Sequence, residues 1–228
     1  MRSIMDELVQ KINQKYQNKF MTIAIAGPVS VGKSTFAKKV ASLLAQQATV
    51  ISTDDFLMPN NVLMNKNLFN QKGFPQTYDL AELEQVIRRF KSGETSVQIP
   101  CYTQELADIH PKEKQTIKKP EILIIEGVVA LQLQQTDFKI YLDADLTDIK
   151  AWYLTRTLEM TALSKNDPKS WRYQYAQMPV GEFSNLVMKI WDETNQVNLD
   201  RYILPSKQYA NALVRFDENH DIKHITIK

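Results

Sequence analysis

Residues 27–35 read Gly27-Pro28-Val29-Ser30-Val31-Gly32-Lys33-Ser34-Thr35. This is G-x-x-x-x-G-K-[ST], a phosphate-binding loop. It constrains the fold more than any other segment, because such a loop works only between a buried strand and the start of a helix. Its backbone N–H groups, from Val29 through Thr35, form a concave nest for the phosphates of a nucleotide. Gly27 and Gly32 let that backbone approach without a Cβ in the way. Lys33 reaches the same phosphate oxygens, and Ser34 can ligate Mg²⁺. The preceding run Met21-Thr22-Ile23-Ala24-Ile25-Ala26 is apolar and short, as a buried strand should be. A helix from about Lys33 to Gln46 would aim its positive end at the anion.

The whole chain sets broad limits. Its 228 residues suit one large domain or at most two, with a core that needs no staples. A net charge of +2 argues against a nucleic-acid binder that works through a broad basic surface. The single Cys101 excludes an internal disulfide and fits a reducing cytoplasm; it reads as a buried small hydrophobe. No stretch approaches a membrane span, and the N-terminus lacks the apolar core of a signal peptide. Instead Ile4, Met5, Leu8, Ile12 and Tyr16 follow helical spacing, so residues 1–20 read as an amphipathic helix packed on the core.

Beyond the loop, strand-like runs alternate with helical patterns. Strands are expected at Thr49–Thr53, Ser96–Tyr102, Ile122–Ile125, Phe138–Leu142, Ala212–Phe216 and Ile222–Ile227. Helices are expected at about 80–91 and 147–163, from Asp167-Pro168, and over 183–195. This alternation implies an α/β fold with a parallel central sheet and helices on both faces. Sites in such sheets lie at the carboxyl ends of the strands. The polar candidates fall there: the loop, Asp54, Asp55, Glu126 and Asp143.

Three residue groups outside the loop carry chemistry. Asp54 follows a strand about twenty residues beyond Lys33, where a carboxylate can take a proton from a substrate hydroxyl. Glu126 ends the most apolar strand, where a carboxylate can hold Mg²⁺ directly or through water. Arg156, followed by Lys165, Lys169 and Arg172, can form a basic lid over about 156–178 that neutralises a transferring charge. The D-x-x-G and N-K-x-D elements of GTPases are missing. The histidines have no metal-ligand spacing, and His110 reads as a surface residue in a polar loop.

The chain resembles the bacterial type I pantothenate kinases, within the group that also holds uridine kinases and phosphoribulokinases. The resemblance runs from about Thr22 to the C-terminus. It rests on Gly27–Thr35, Ser52–Asn60, Lys72-Gly73-Phe74-Pro75-Gln76-Thr77-Tyr78-Asp79, Pro100–Tyr102, Ile122–Gly127, Ile140–Ala144, Trp152–Arg156, Asn195–Leu199, Ile203-Leu204-Pro205 and Asn219-His220. It implies a P-loop kinase fold over 21–228 and ATP-dependent phosphorylation of pantothenate with Mg²⁺, the first step toward coenzyme A. By resemblance Asp54 is the catalytic base, with Lys33 and Arg156 acting on the transferring group. Ser34 and Glu126 serve the metal, and His220 lies against the adenine. Tyr102, Gln104, Tyr153, Arg156 and Asn195 line the acceptor pocket. A small-molecule acceptor, no nucleic acid, no membrane and a cytoplasmic setting follow; a homodimer is left open.

The departures concern the acceptor and regulation. The family pattern Y-x-H reads Tyr102-Thr103-Gln104 here, and a further tyrosine is Ala107. Two phenylalanines after the lid-entry arginine are Thr157 and Met160, while a basic residue in the loop helix remains as Lys38. The alternatives are a nucleoside or sugar kinase and, behind these, a non-catalytic nucleotide-binding regulator.

Overall fold

A computed structural model describes residues 4–228 of the chain. Five parallel strands and one antiparallel edge strand make the main sheet. They are β1 (Met21–Ala26), β2 (Ala48–Ser52), β5 (Ile122–Glu126), β6 (Phe138–Asp143), β7 (Ala212–Phe216) and the antiparallel β8 (Ile222–Ile227), in the order β2-β5-β1-β6-β7-β8. Strands β3 (Ser96–Thr103) and β4 (Asp108–Lys118) form a separate hairpin. The helices used below are α1 (Ile4–Lys15), α2 (Lys33–Leu43), α3 (Asn60–Asn65), α4 (Leu80–Lys91), α5 (Leu146–Ala162), α6 (Tyr173–Ala176) and α7 (Val180–Ile190).

β1 and β5 lie inside the sheet and are covered on both faces. That is why MTIAIA and ILIIE are apolar runs rather than alternating patterns, and every residue of both strands is buried. The two faces still separate by the strand period. Ile122 and Ile124 pack with α1 and α2 through Leu8, Ile12, Phe36 and Val40. Leu123 and Ile125 pack on the other side with Leu83, Ile87 and Phe90 of α4. The register aligns Ser52 with Glu126, and Glu126 with Ile25. The carboxyl ends of β2, β5 and β1 therefore finish in one row.

Boundaries depart from expectation where tertiary demands intervene. α2 stops at Leu43 rather than Gln46, because Leu44 is already extended toward β2. The segment 108–118, read as loop around His110, is strand β4, and His110 is half-buried in it. Asp167-Pro168 starts no long helix; the chain turns there and forms only α6. The helical pattern over 183–195 starts earlier, at Val180, and continues beyond α7 through π turns at Trp191–Asn195 and Leu199–Ile203 to Ser206. Pro205 sits just after the second π turn. A proline there lacks the N–H and crowds the carbonyl four residues back, so the wider turn relieves it. Cys101 is half-buried rather than fully buried.

Residues 1–3 of the expected N-terminal helix lie outside the described residues. From Met5 onward the stripe behaves as read: Met5, Leu8 and Ile12 are buried in the same cluster as β1. Tyr16 follows the helix and donates to Glu121 Oε1 at 2.9 Å. Among the described residues no helix is long and apolar enough to cross a membrane.

Because Leu8 is fully buried beside β1 neighbours, Leu8→Ala should cost about 2–4 kcal/mol of unfolding free energy. Urea unfolding followed by circular dichroism measures it. A loss under about 0.5 kcal/mol, the range of surface substitutions, would mean that α1 merely decorates the domain.

Candidate functional site

The row of strand ends opens into a cavity of about 900 Å³. Its floor is the loop 29–35 with Glu126 and Gly127; Asp54, Asp55, Tyr102, Gln104 and Arg156 stand at one end. Lys39, Phe216, His220, Asp221 and Ile222 also line it. The loop residues Val29, Ser30, Val31, Gly32, Lys33, Ser34 and Thr35 all border this space, as the motif requires.

Gly32 caps α2 with φ +89°, a left-handed turn that frees the first amides of the helix to face the cavity. Ser30 also has positive φ, and its buried Oγ has no hydrogen-bond partner among the described residues. Lys33 folds over the loop and donates to Pro28 O at 2.7 Å and Gly27 O at 3.2 Å. Burial lowers its pKa; the nearby Glu126 and Asp54 carboxylates oppose that fall.

Ser34 Oγ donates to Glu126 Oε1 at 2.8 Å. Burial raises the pKa of Glu126, while Lys33 and Ser34 pull it back. A hydroxyl and a carboxylate meeting below a nest of amides is a donor set for Mg²⁺ that keeps waters and substrate phosphates as its other ligands. No group of three or more His, Cys, Asp or Glu among the described residues offers a closed protein cage.

Asp54 and Asp55 are adjacent and do different things. Both sit in the tight turn Thr53–Phe56 that follows β2. Asp55 points inward: it is buried and accepts from Tyr102 N and Gln115 Nε2, each at 3.0 Å, and from Ser52 N at 3.4 Å. It ties the turn to both strands of the hairpin. Asp54 points to the cavity. Its Oδ1 accepts from Tyr78 at 3.1 Å, and among the described residues its Oδ2 accepts no hydrogen bond. Burial raises its pKa, opposed by Lys33 first, then by Tyr78, Lys72 and Arg156. Gly127 lies underneath with φ +150°, and a Cβ there would overlap the buried Thr53 side chain. Only glycine lets this turn settle onto β5.

The acceptor-side residues named from the sequence divide in two. Tyr102, Gln104 and Arg156 line the cavity. The Tyr102 hydroxyl is pushed up to about 12 by burial and then by the Asp54 charge. Lys72 lies 5.4 Å from the Tyr102 ring centroid and donates to Asn60 Oδ1 at 2.6 Å and Ala107 O at 2.5 Å. Tyr153 and Asn195 do not line the cavity. The Tyr153 ring packs with its centroid 5.0 Å from that of Trp191. Thr157, one of the departures, donates to Tyr153 O at 2.7 Å.

Of the basic lid residues, Arg172 approaches the site. Arg172 and Trp171 both donate to Gln104 O at 3.4 Å, and the guanidinium lies 4.2 Å from the Trp171 ring. Lys165 and Lys169 are exposed, and their side chains make no hydrogen bond or ion pair among the described residues. Lys38 does not border the cavity; its neighbour Lys39 does. Asp143 is taken up by Lys207 at 2.7 Å and Arg215 at 3.0 Å, so it serves structure. At the far end His220 stacks on Trp152 with ring centroids 3.5 Å apart, and its Nε2 lies 3.3 Å from Ser30 O. From the sequence Trp152 reads as core at least as readily as substrate wall, and Tyr78 carries no site role. The signal for Tyr78 was present in the 72–79 segment, but nothing local shows that it reaches Asp54.

The family description "Phosphoribulokinase / Uridine kinase family" matches residues 22–160. The pantothenate kinase of Streptococcus pneumoniae serotype 4 is 38% identical over 220 residues, covering 90% of this chain and 72% of that protein. Among solved structures, D-glycerate 3-kinase from Cryptococcus neoformans superposes with a TM-score of 0.65 at 13% identity, over all of both chains. Phosphoribulokinase from Rhodobacter spheroides gives a TM-score of 0.54 at 15% identity, over 88% of this chain and 71% of that one.

The two aspartates separate in experiment. Asp54→Asn should lower turnover by about 10²–10⁴-fold, as loss of a general base does, and leave stability intact. Asp55→Asn should cost about 1–3 kcal/mol, because one of its two accepting oxygens becomes an NH₂ that faces a donor. Steady-state kinetics and urea unfolding of both variants check this; a silent Asp54→Asn beside an inactive, stable Asp55→Asn would reverse the assignment.

Proposed function

The chain belongs to the phosphoribulokinase/uridine kinase family, and we propose that it transfers the γ-phosphoryl group of ATP to the primary hydroxyl of pantothenate, giving 4′-phosphopantothenate. The enzyme is an ATP-dependent phosphotransferase with an alcohol acceptor. The observation that carries the acceptor chemistry is Asp54: a cavity-facing carboxylate with one oxygen tied to Tyr78 and the other left to accept a proton. The similarity to the streptococcal pantothenate kinase supports the choice of acceptor.

The geometry suggests a division of labour. The triphosphate rests on the loop amides, with Lys33 beside it and the base toward His220 and Trp152. The acceptor occupies the end near Asp54, Tyr102, Gln104 and Arg156. Asp54 Oδ2 takes the hydroxyl proton as that oxygen bonds to the γ-phosphorus and the bond to the β-phosphate oxygen breaks. Lys33 and Arg156 offset charge on the transferring group. Mg²⁺, held through Ser34 and Glu126, would neutralise charge shared between the phosphates. Site closure by Trp171 and Arg172 against Gln104 O would limit transfer to water.

The second reading, a nucleoside or sugar acceptor, draws on Tyr153 and Asn195. The resemblance gives them to the pantothenate pocket, yet neither borders the cavity. A panel of pantothenate, uridine and simple sugars with ATP and Mg²⁺, read as ADP release, decides between the readings. Pantothenate should give the highest kcat/KM; a higher value for uridine or a sugar would replace it.

Lys33→Ala should abolish nearly all turnover while the thermal midpoint stays within a few degrees. Equal activity at matched stability would remove the loop from the mechanism. The pH profile has a definite sign. Asp54 must be ionised to accept a proton, and burial raises its pKa. The acid limb of kcat/KM should therefore lie above the usual carboxylate range of about 4; a limb at or below it would exclude Asp54 as the base.

A further inference from the structure

We propose that Tyr78 is a positioning residue for the general base. Its hydroxyl holds Asp54 Oδ1, so that Oδ2 is the oxygen presented to the acceptor. The inference rests on the phosphotransferase reading above and deepens it.

The 72–79 segment is laid against the Asp54 turn by backbone bonds. Met58 N donates to Thr77 O at 2.8 Å, and Asp79 N donates to Phe56 O at 2.7 Å. Between them Leu57 and Tyr78 pair as an isolated antiparallel bridge. The segment's other end is fixed too. Thr77 is fully buried, donates to Phe74 O at 2.7 Å and accepts from Gly73 N at 3.1 Å. Asn198 Nδ2, from the C-terminal helix, donates to Gly73 O at 2.8 Å. Tyr78 thus enters the site from a backbone that cannot drift relative to Asp54.

The Tyr78 ring is 5% exposed and packs in a cluster with Leu57, Val128 and Val129. A buried tyrosine hydroxyl needs a partner. Here the partner is Asp54 Oδ1, which leaves Oδ2 as the oxygen turned to the acceptor. The bond stops the carboxylate from turning about its terminal torsion, which is otherwise broad. Other charges face Asp54 from every side: Lys33 on α2, Lys72 on the same segment, Arg156 on α5, the neighbouring Asp55, and Tyr102 on β3. None of them hydrogen-bonds to it. Lys33 is held by Gly27 O and Pro28 O, and Lys72 by Asn60 and Ala107. Without Tyr78, no side chain in this surround fixes the orientation of the base.

Tyr78→Phe keeps the ring and removes only the donor. It should lower kcat about ten- to a hundredfold, the scale of a small misplacement of a catalytic group. The KM for ATP should stay within about twofold, because the nucleotide end is untouched. In the double variant with Asp54→Asn, Tyr78→Phe should add no further loss, since its effect passes through the carboxylate. A crystal structure of Tyr78→Phe supplies a readout that needs no acceptor: the Asp54 carboxylate should leave its wild-type orientation or occupy two. If wild-type protein turned over none of the acceptor panel, the proposed reaction would fall while this structural readout still judged Tyr78. Wild-type kcat in Tyr78→Phe, a full additional loss on top of Asp54→Asn, or an unmoved carboxylate would each overturn the proposal. Loss of the fold in Tyr78→Phe would do so as well, by assigning the hydroxyl to stability.

Discussion

The structure depends on keeping three charges together away from water: Lys33, Asp54 and Glu126. Burial alone would lower the Lys33 pKa and raise those of both carboxylates. Lys33 is the first opposing influence on Asp54 and on Glu126, and Glu126, followed by Asp54, opposes the fall of Lys33, while Asp54 pushes Glu126 the other way. Without Lys33 the two carboxylates would be pushed toward their neutral forms, which costs activity before it costs the fold. Such a cluster is unstable unless the backbone beneath it is fixed, and most of the surrounding architecture supplies that fixation.

The parallel sheet does the first part. Its register puts Ser52, Glu126 and the end of β1 in one row, so the turn after β2, the turn after β5 and the phosphate loop all leave the sheet side by side. Hydrogen-bonded straps do the second part. Asp55 ties the Asp54 turn to the hairpin β3–β4, and the 72–79 segment closes over it from the other side. The hairpin in turn meets Trp171 and Arg172 through the carbonyl of Gln104. The acceptor end is therefore built from four separate stretches of chain, whereas the phosphate end is built almost wholly from one.

That contrast explains what the sequence disclosed. The loop 27–35 is a local device, and its meaning survives without knowledge of the rest. Asp54 and Glu126 were legible because each ends a strand, and strand ends converge in this fold class. Strand β4 is not legible: its residues 111–114 are all exposed and only Gln115 and Ile117 turn inward beyond them, so His110 reads as a loop residue. Tyr78 could be quoted as part of a motif, but its bond to a residue 24 positions earlier depends on the fold. Tyr153 and Asn195 belong to the pocket by resemblance; here neither borders the cavity. The separation of Lys39 from Lys38 at the cavity turns on a single helical step of about 100°.

The two π turns in the helix that runs from Val180 to Ser206 have one more consequence. A π turn is wider than the α-helix around it, so the path from Trp191 to Ile203 accommodates more chain than a regular helix would. Five residues wound as a π turn and four wound as an α turn sweep nearly the same angle, so loss of one residue within either turn would return it to α-helical winding and leave the faces beyond it almost where they are. The two wide turns thus let this helix carry extra residues while Asn198 still meets Gly73 and Ile203 stays in the core. The deletions this region would bear best are those that fall within the turns.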